Sequence, residues 1–196
     1  MKDAEILSVI RTRASTRKYL DKLISQDIID KILEAGIFGP SVVGAQPGRF
    51  IVVKNREMIK AIDAVMKTNA GKVGFGSGMM TYVAKIIESA PALIVVYNTR
   101  CVSERVKKIS ELYYENIKLA EFEAIAAAIQ NMVLIAETLG VGTCWLDIPV
   151  LFEREINDIV RAEGRMVAIV TMGYVSDEPT QRSPRKDYSK TVEMRE

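Results

Sequence analysis

With 196 residues, 48% of them apolar and 27% charged, and a net charge of only +2, the chain can bury a sizeable core, either as one domain spanning 1–196 or as a subunit sharing its core with a copy. The composition excludes a disordered chain, and the spread of Lys and Arg gives no support for nucleic-acid binding. The mixed charges of Met1 to Glu5 lead into no apolar run of leader or membrane length, so a cytoplasmic protein with no membrane partner is expected.

Ile6, Val9 and Ile10 give a first short helix ending near Arg13. Arg13-Ala14-Ser15-Thr16-Arg17 follows. If this stretch runs extended, positions 13, 15 and 17 share one face, and two guanidinium groups flank a hydroxyl, a trio suited to phosphate. The alternative is that Arg11, Arg13 and Arg17 only complement the dipole at a helix C-terminus. A second helix, opened by Ser25 and carrying Ile28, Ile29, Ile32 and Leu33, should stop at Gly36. The ten residues from Gly39 to Gly48 hold two prolines and three glycines. They read as a rigid exposed loop, whether for binding or for connection.

Arg49 to Lys54 reads as a buried strand, and Asn55 as the cap of a helix bearing Met58, Ile59, Ile62, Val65 and Met66. The glycine-rich run Thr68 to Gly78 follows a helix rather than a strand, which removes the context of a dinucleotide loop, and it reads as a mobile flap. Val83, Ile86 and Ile87 mark a helix ending before Pro91, and Ala92 to Tyr97 a second buried strand. Ser103 opens a helical region to about Lys118. Leu119 to Leu139 is apolar on almost every face, with Ala124, Ala126, Ala127 and Ala128 permitting close approach, so it should be a central, nearly buried helix ended by Gly140. Glu121, Glu123, Gln130, Asn131 and Glu137 keep it from being a membrane span. Gly142 to Leu146 and Met166 to Met172 are two further strands around a short helix near Glu153 to Arg161, and a polar tail from Gly173 carries Arg182, Arg185 and Lys186. The sum is a helix-covered sheet in an α+β arrangement.

Histidine is absent. That excludes Ser-His and Cys-His nucleophiles and histidine-bound zinc together, so enzyme chemistry in this chain would sit on a bound cofactor. Cys101 and Cys144 form neither a metal knuckle nor a disulfide framework and read as small buried hydrophobes.

Four landmarks in order resemble the nitroreductase family of flavin mononucleotide (FMN) enzymes. They are the Arg-x-Ser-x-Arg stretch, the Pro-Ser…Gln-Pro loop before a strand, the Gln-Asn helix leading into Leu-Gly-x-Gly-Thr-Cys-Trp, and a terminal Gly-Tyr followed by Pro-Arg-Lys. The resemblance runs over nearly the whole chain. It implies a central, mostly antiparallel sheet covered by helices, a long buried central helix, and a homodimer with FMN at the interface.

By the same resemblance Arg13, Ala14 and Ser15 would hold the phosphate and ribityl chain, and Arg17 would reach the N1/O2 edge of the flavin, where a cation suits the charge of the reduced ring. Asn69 and Lys72 match an amide and a lysine at that edge, though an ordinary polar helix end reads the same way. Arg185, with Lys186, matches a C-terminal cation of the phosphate site. Pro40, Ser41, Val42, Gly44 and Gln46 would pack on the flavin from the other subunit. Trp145, Leu146, Asp147 and Ile148 match the segment behind the ring, where a backbone N–H near Asp147 or Ile148 would meet N5; Trp145 alone is more often a core aromatic than a cofactor wall. The chain departs from the family at Gly44, commonly Asn, and at Gly48, commonly aromatic. The implied reaction passes hydride from NADH or NADPH to flavin N5 and then electrons to a nitroaromatic, quinone or similar small acceptor, in ping-pong order. Reductive dehalogenation, flavin cleavage, or flavin binding without turnover are the alternatives.

Overall fold

The computed structural model describes residues 3–73, 77–176 and 184–195. In chain order it contains α1 (Asp3–Thr12), α2 (Gln26–Ile37), β1 (Gly48–Val53), α3 (Arg56–Asn69), α4 (Ser77–Ser89), β2 (Ala92–Asn98), α5 (Ser103–Val106), α6 (Glu111–Thr138), β3 (Val141–Leu146), α7 (Glu153–Val160) and β4 (Arg165–Tyr174). The four strands form one antiparallel sheet in the order β1-β2-β4-β3. This is the α+β arrangement expected from the sequence.

Helices cover both faces because the inner strands are apolar on both. Leu93, Val95 and Tyr97 of β2 join α3, α4 and α7 in one core, while Ala92, Ile94 and Val96 join α2 and α6 in the other. Strands buried on both sides read as continuous apolar runs, and Ala92 to Tyr97 does. Arg49 to Lys54, expected to be buried, instead falls on the edge strand β1, with Arg49 and Lys54 exposed and only Val53 buried, because one of its sides has no neighbouring strand among the described residues.

α2 ends at Ile37, one residue past Gly36, as expected, but the glycine's own role is close packing on α6: an added Cβ would sit 2.9 Å from Met132 Cγ. Two other local expectations change. Ser103 opens only the single turn of α5. Ser110 is the N-cap of α6, its side chain accepting from the Tyr113 N–H at 3.3 Å, and the long helix then runs unbroken through both segments the sequence separates. The run Thr68 to Gly78 is mostly helical among the described residues: α3 continues to Asn69, a 3-10 turn spans Ala70–Val73, and α4 begins at Ser77. Gly74, Phe75 and Gly76 lie outside the described residues, as does Arg182 of the tail.

By length and composition α6 could cross a membrane. Its second half instead packs on α2 and the sheet, with Ile125, Ile129, Met132 and Ala136 buried, and one turn before it the carboxylate of Glu121 is fully enclosed.

Candidate functional site

The chain leaves α1 at Thr12 and turns extended along the edge of the sheet. Ser15 bridges Thr143 of β3 in parallel, and Thr16 N–H donates to Thr143 O at 2.8 Å. Thr16 is buried against Gly142, where any Cβ would collide with its side chain. Farther on, Tyr19 is clamped by hydrogen bonds of its hydroxyl with Thr16 O (2.8 Å) and Thr171 Oγ1 (2.6 Å), over Gly173, where a Cβ would lie 2.7 Å from its ring. Burial holds the Tyr19 hydroxyl far above the usual phenol range. Thr16 and Tyr19 point inward, Arg13 and Ser15 are half-buried, and Arg17 is exposed.

Arg11 lies in the last turn of α1, and Arg13 directly follows it, its N–H still donating to Val9 O at 3.0 Å, so a helix-end role accounts for both; Arg17, five residues past the helix, stands beyond that explanation. Arg17 Nη1 donates to Ser15 O at 3.2 Å, and among the described residues neither Arg13 nor Arg17 forms an ion pair. Beneath them lies Cys144, whose thiol is pushed up from its ordinary value by burial, against the lowering influence of Arg17, a Ser15 hydrogen bond and Arg13. Cys144 is the buried hydrophobe expected; Cys101 is only half-buried.

Past Cys144, the half-buried Trp145 packs on the α2/α6 core with its Nε1 enclosed and unpartnered among the described residues, and Leu146 turns into the opposite core. Asp147, exposed, leads into a 3-10 helix (Ile148–Phe152) that begins with half-buried Ile148 and buried Pro149.

The loop before β1 is built differently. Gln46 N–H donates to Ser41 Oγ (3.3 Å), Gln46 Nε2 to Ile37 O (3.1 Å), and Ala45 N–H to Val42 O (2.9 Å). Val43, Gly44 and Gln46 have left-handed φ values of 45°, 71° and 48°, which strains the β-branched, exposed Val43. At Gly44 the position is open, with nothing near an added Cβ, but its φ favours Gly, and of the L residues Asn and Asp tolerate it best. At Gly48 an added Cβ would lie 3.0 Å from Phe50 Cζ, so the ring of Phe50 occupies the space an aromatic at 48 would need. Pro40, Ser41, Gln46 and Phe50 line a cleft of about 280 Å³ between the end of α2, β1 and α6.

Asn69 closes α3, buried, with one N–H of its side-chain amide donating to Val65 O at 2.9 Å; Lys72 is exposed. Arg185 is exposed in the tail.

The chain therefore gathers Arg13, Ala14, Ser15 and Arg17 with the β3 segment, and gathers Pro40, Ser41, Val42, Gly44 and Gln46 elsewhere. Ser15 lies level with Thr143, Met172 and Ala92, whereas the loop enters β1 at Gly48, level with Asn98 and Arg165. These are opposite edges and opposite ends of the sheet, about 19 Å across and about 20 Å along it, on the order of 28 Å apart from strand spacing and rise. Sequence reasoning missed the clamp of Thr16, Tyr19 and Thr171. The available signal was the pair of glycines, Gly142 and Gly173, each inside an apolar strand where a close approach is the usual reason.

A family model described as Nitroreductase family matches residues 10–174. A protein of Methanothermobacter thermautotrophicus, provisionally named NADH dehydrogenase/NAD(P)H nitroreductase, is 30% identical over 182 residues, which cover 91% of this chain and 81% of that protein. Among solved structures, a provisionally named nitroreductase from Desulfovibrio desulfuricans in complex with FMN superposes with a TM-score of 0.75 at 24% identity, over 97% of this chain and 96% of that one. A BluB-like flavoprotein from Clostridium difficile 630 gives 0.78 at 21% identity, over 100% of both chains. At these identities the two structures establish a shared fold.

Proposed function

Because the chain belongs to the nitroreductase family, we propose that it is an FMN-dependent oxidoreductase of one domain, working as a cytoplasmic homodimer on a small-molecule acceptor. The observation that carries this reading is the arginine stretch: two guanidinium groups without ion-pair partners among the described residues, with a hydroxyl between them, fixed on β3. That donor set fits a phosphate monoester, since forked, permanently charged donors match its oxygens. Names of the relatives support the same cofactor and a nicotinamide donor.

FMN bound there would supply hydride and electron transfer at N5, between NADH or NADPH and a nitroaromatic, quinone or similar acceptor that take turns in one space. The residues divide the remaining work. Arg13, Ala14, Ser15 and, from the tail, Arg185 hold the phosphate end. Arg17 and Lys72 place positive charge at the ring edge, with Asn69 beside them. Trp145, Leu146, Asp147 and Ile148 back the ring and exclude water from one side. Pro40, Ser41, Val42, Gly44 and Gln46 reach the flavin from the partner, because in one protomer they stand at the far corner of the sheet from Ser15. A second copy would also cover the exposed apolar side chains Ile6, Leu7 and Ile10 on α1 and Leu112 and Leu119 on α6.

The test is the visible absorption spectrum of the purified protein with FMN added, followed by NADH or NADPH under nitrogen and then a nitroaromatic or quinone. A yellow protein that bleaches with the donor and recovers colour with the acceptor is expected. A protein that retains no FMN after gel filtration would overturn the reading.

A further inference from the structure

Glu121 sits in α6 with no exposed surface, and both of its oxygens are fully engaged. Oε1 accepts from the N–H groups of Val102 (2.9 Å) and Ser103 (3.1 Å); Oε2 accepts from the Ser103 hydroxyl (2.7 Å) and the Asn98 amide (3.3 Å). A carboxylate this deep survives only where donors replace its water. All four donors belong to one turn, the segment between the end of β2 and α5.

That turn faces the loop. Thr99 gives both its N–H (2.9 Å) and its hydroxyl (3.0 Å) to Pro47 O, and Cys101 Sγ lies 3.7 Å from Ala45 O. Asn98 Oδ1 also accepts from Arg100 N–H at 2.7 Å, holding Arg100 in the left-handed region at φ 53°. Pro40 to Gln46 has its own internal bonds and one bond back to Ile37, but its far end is fixed by Thr99 and Cys101, and these are fixed by Glu121. We propose that Glu121 is a positioning residue for the Pro40–Gln46 loop, acting through the turn of residues 98–103 to hold that loop in its bent form. Its consequence for the cofactor rests on the reading of the loop as a flavin-contacting segment.

Hydrogen exchange on the protein without added flavin tests the structural step by itself. Glu121→Gln keeps the shape but sets an NH2 group against two donors. The amides of Gly44, Ala45, Gln46 and Thr99 should exchange about tenfold faster in that variant, while those of β3, β4 and residues 13–20 keep their rates. Thr99→Val, which cuts one link between turn and loop, should speed Gly44 to Gln46 and leave Val102 and Ser103 unchanged. If Glu121→Gln does not fold, Ser103→Ala removes only the 2.7 Å donor and should speed the same loop amides about threefold.

Unchanged loop amides beside faster Val102 and Ser103 would overturn the proposal, because Glu121 would then hold the turn alone. Uniform acceleration would overturn it as well, since the role would be one of global stability. Added FMN should bind the Glu121→Gln variant about fivefold more weakly and with a shifted visible band, a signature that a loss of stability alone does not produce. A wild-type chain that binds no FMN would sink the flavin reading and leave the exchange rates to decide the positioning role.

Discussion

The two halves of the candidate site are held in contrasting ways. The arginine stretch lies directly on β3, with Thr16 pressed on Gly142 and Tyr19 on Gly173, and none of the described residues 13–20 has a positive φ. The loop before β1 has Val43, Gly44 and Gln46 in left-handed conformations, and its anchor is a turn that itself depends on a buried carboxylate. Direct packing on a strand fixes charge where it is needed with little room for adjustment. A strained loop on a polar relay can be retuned by changes at a distance from the ligand.

The largest effect should come from the rigid half. Arg13→Ala should weaken FMN binding by about tenfold to a hundredfold, as loss of a charged hydrogen-bonding group removes ~1.5–3 kcal/mol. The melting temperature without flavin should stay near wild type, because Arg13 has no ion pair among the described residues. Unchanged FMN occupancy would break the assignment of this half. Gly142→Ala should cost about 1–3 kcal/mol in urea unfolding, since the new methyl meets the Thr16 side chain; a neutral result would mean that the clamp yields easily.

On the loop, Val43→Asn should raise stability by about 0.5–1 kcal/mol, because Asn tolerates the left-handed region and Val does not. A thermal melt that moves down instead would show that Val43 is not strained in solution. The smallest effect is on pH. Burial raises the Cys144 thiol above its ordinary 9.0, so the folded chain keeps a proton that the unfolded chain loses. Its contribution to stability is intact below about pH 9 and is lost as pH rises through the folded value. Cys144→Ala should flatten that alkaline decline in a stability–pH curve; an unchanged slope would assign the decline elsewhere, for instance to Tyr97, which burial pushes up to about 12.

The alternation of Arg13, Ser15 and Arg17 was legible because extended backbone sends alternate side chains to opposite sides, and Thr16 facing Gly142 completes that pattern. Gly36 marked the end of α2 to within one residue but not its second role, because a glycine that ends a helix and one that admits a neighbouring helix look the same in one dimension; Met132, 96 positions away, makes the difference. Thr68 to Gly78 misled for a related reason, as helix ends on both sides extend into a glycine-rich run once α3 and α4 pack on each other. Glu121 was visible only as a charge within an apolar helix. Its four donors come from a turn whose sequence, Asn98 to Ser103, carries no mark of that partner.

From the sequence alone come the α+β class, the buried strand Ala92 to Tyr97, the caps at Asn55 and Gly140, the absence of histidine chemistry and the candidate phosphate trio, since each depends on the order of side chains along a short stretch. Only the tertiary structure decided that the trio and the Pro40–Gln46 loop stand at opposite corners of one sheet, that Phe50 fills the place left by Gly48, and that a buried carboxylate governs the turn behind the loop. These are contacts between residues far apart in the chain, made by strand order and helix packing, and no local pattern encodes them.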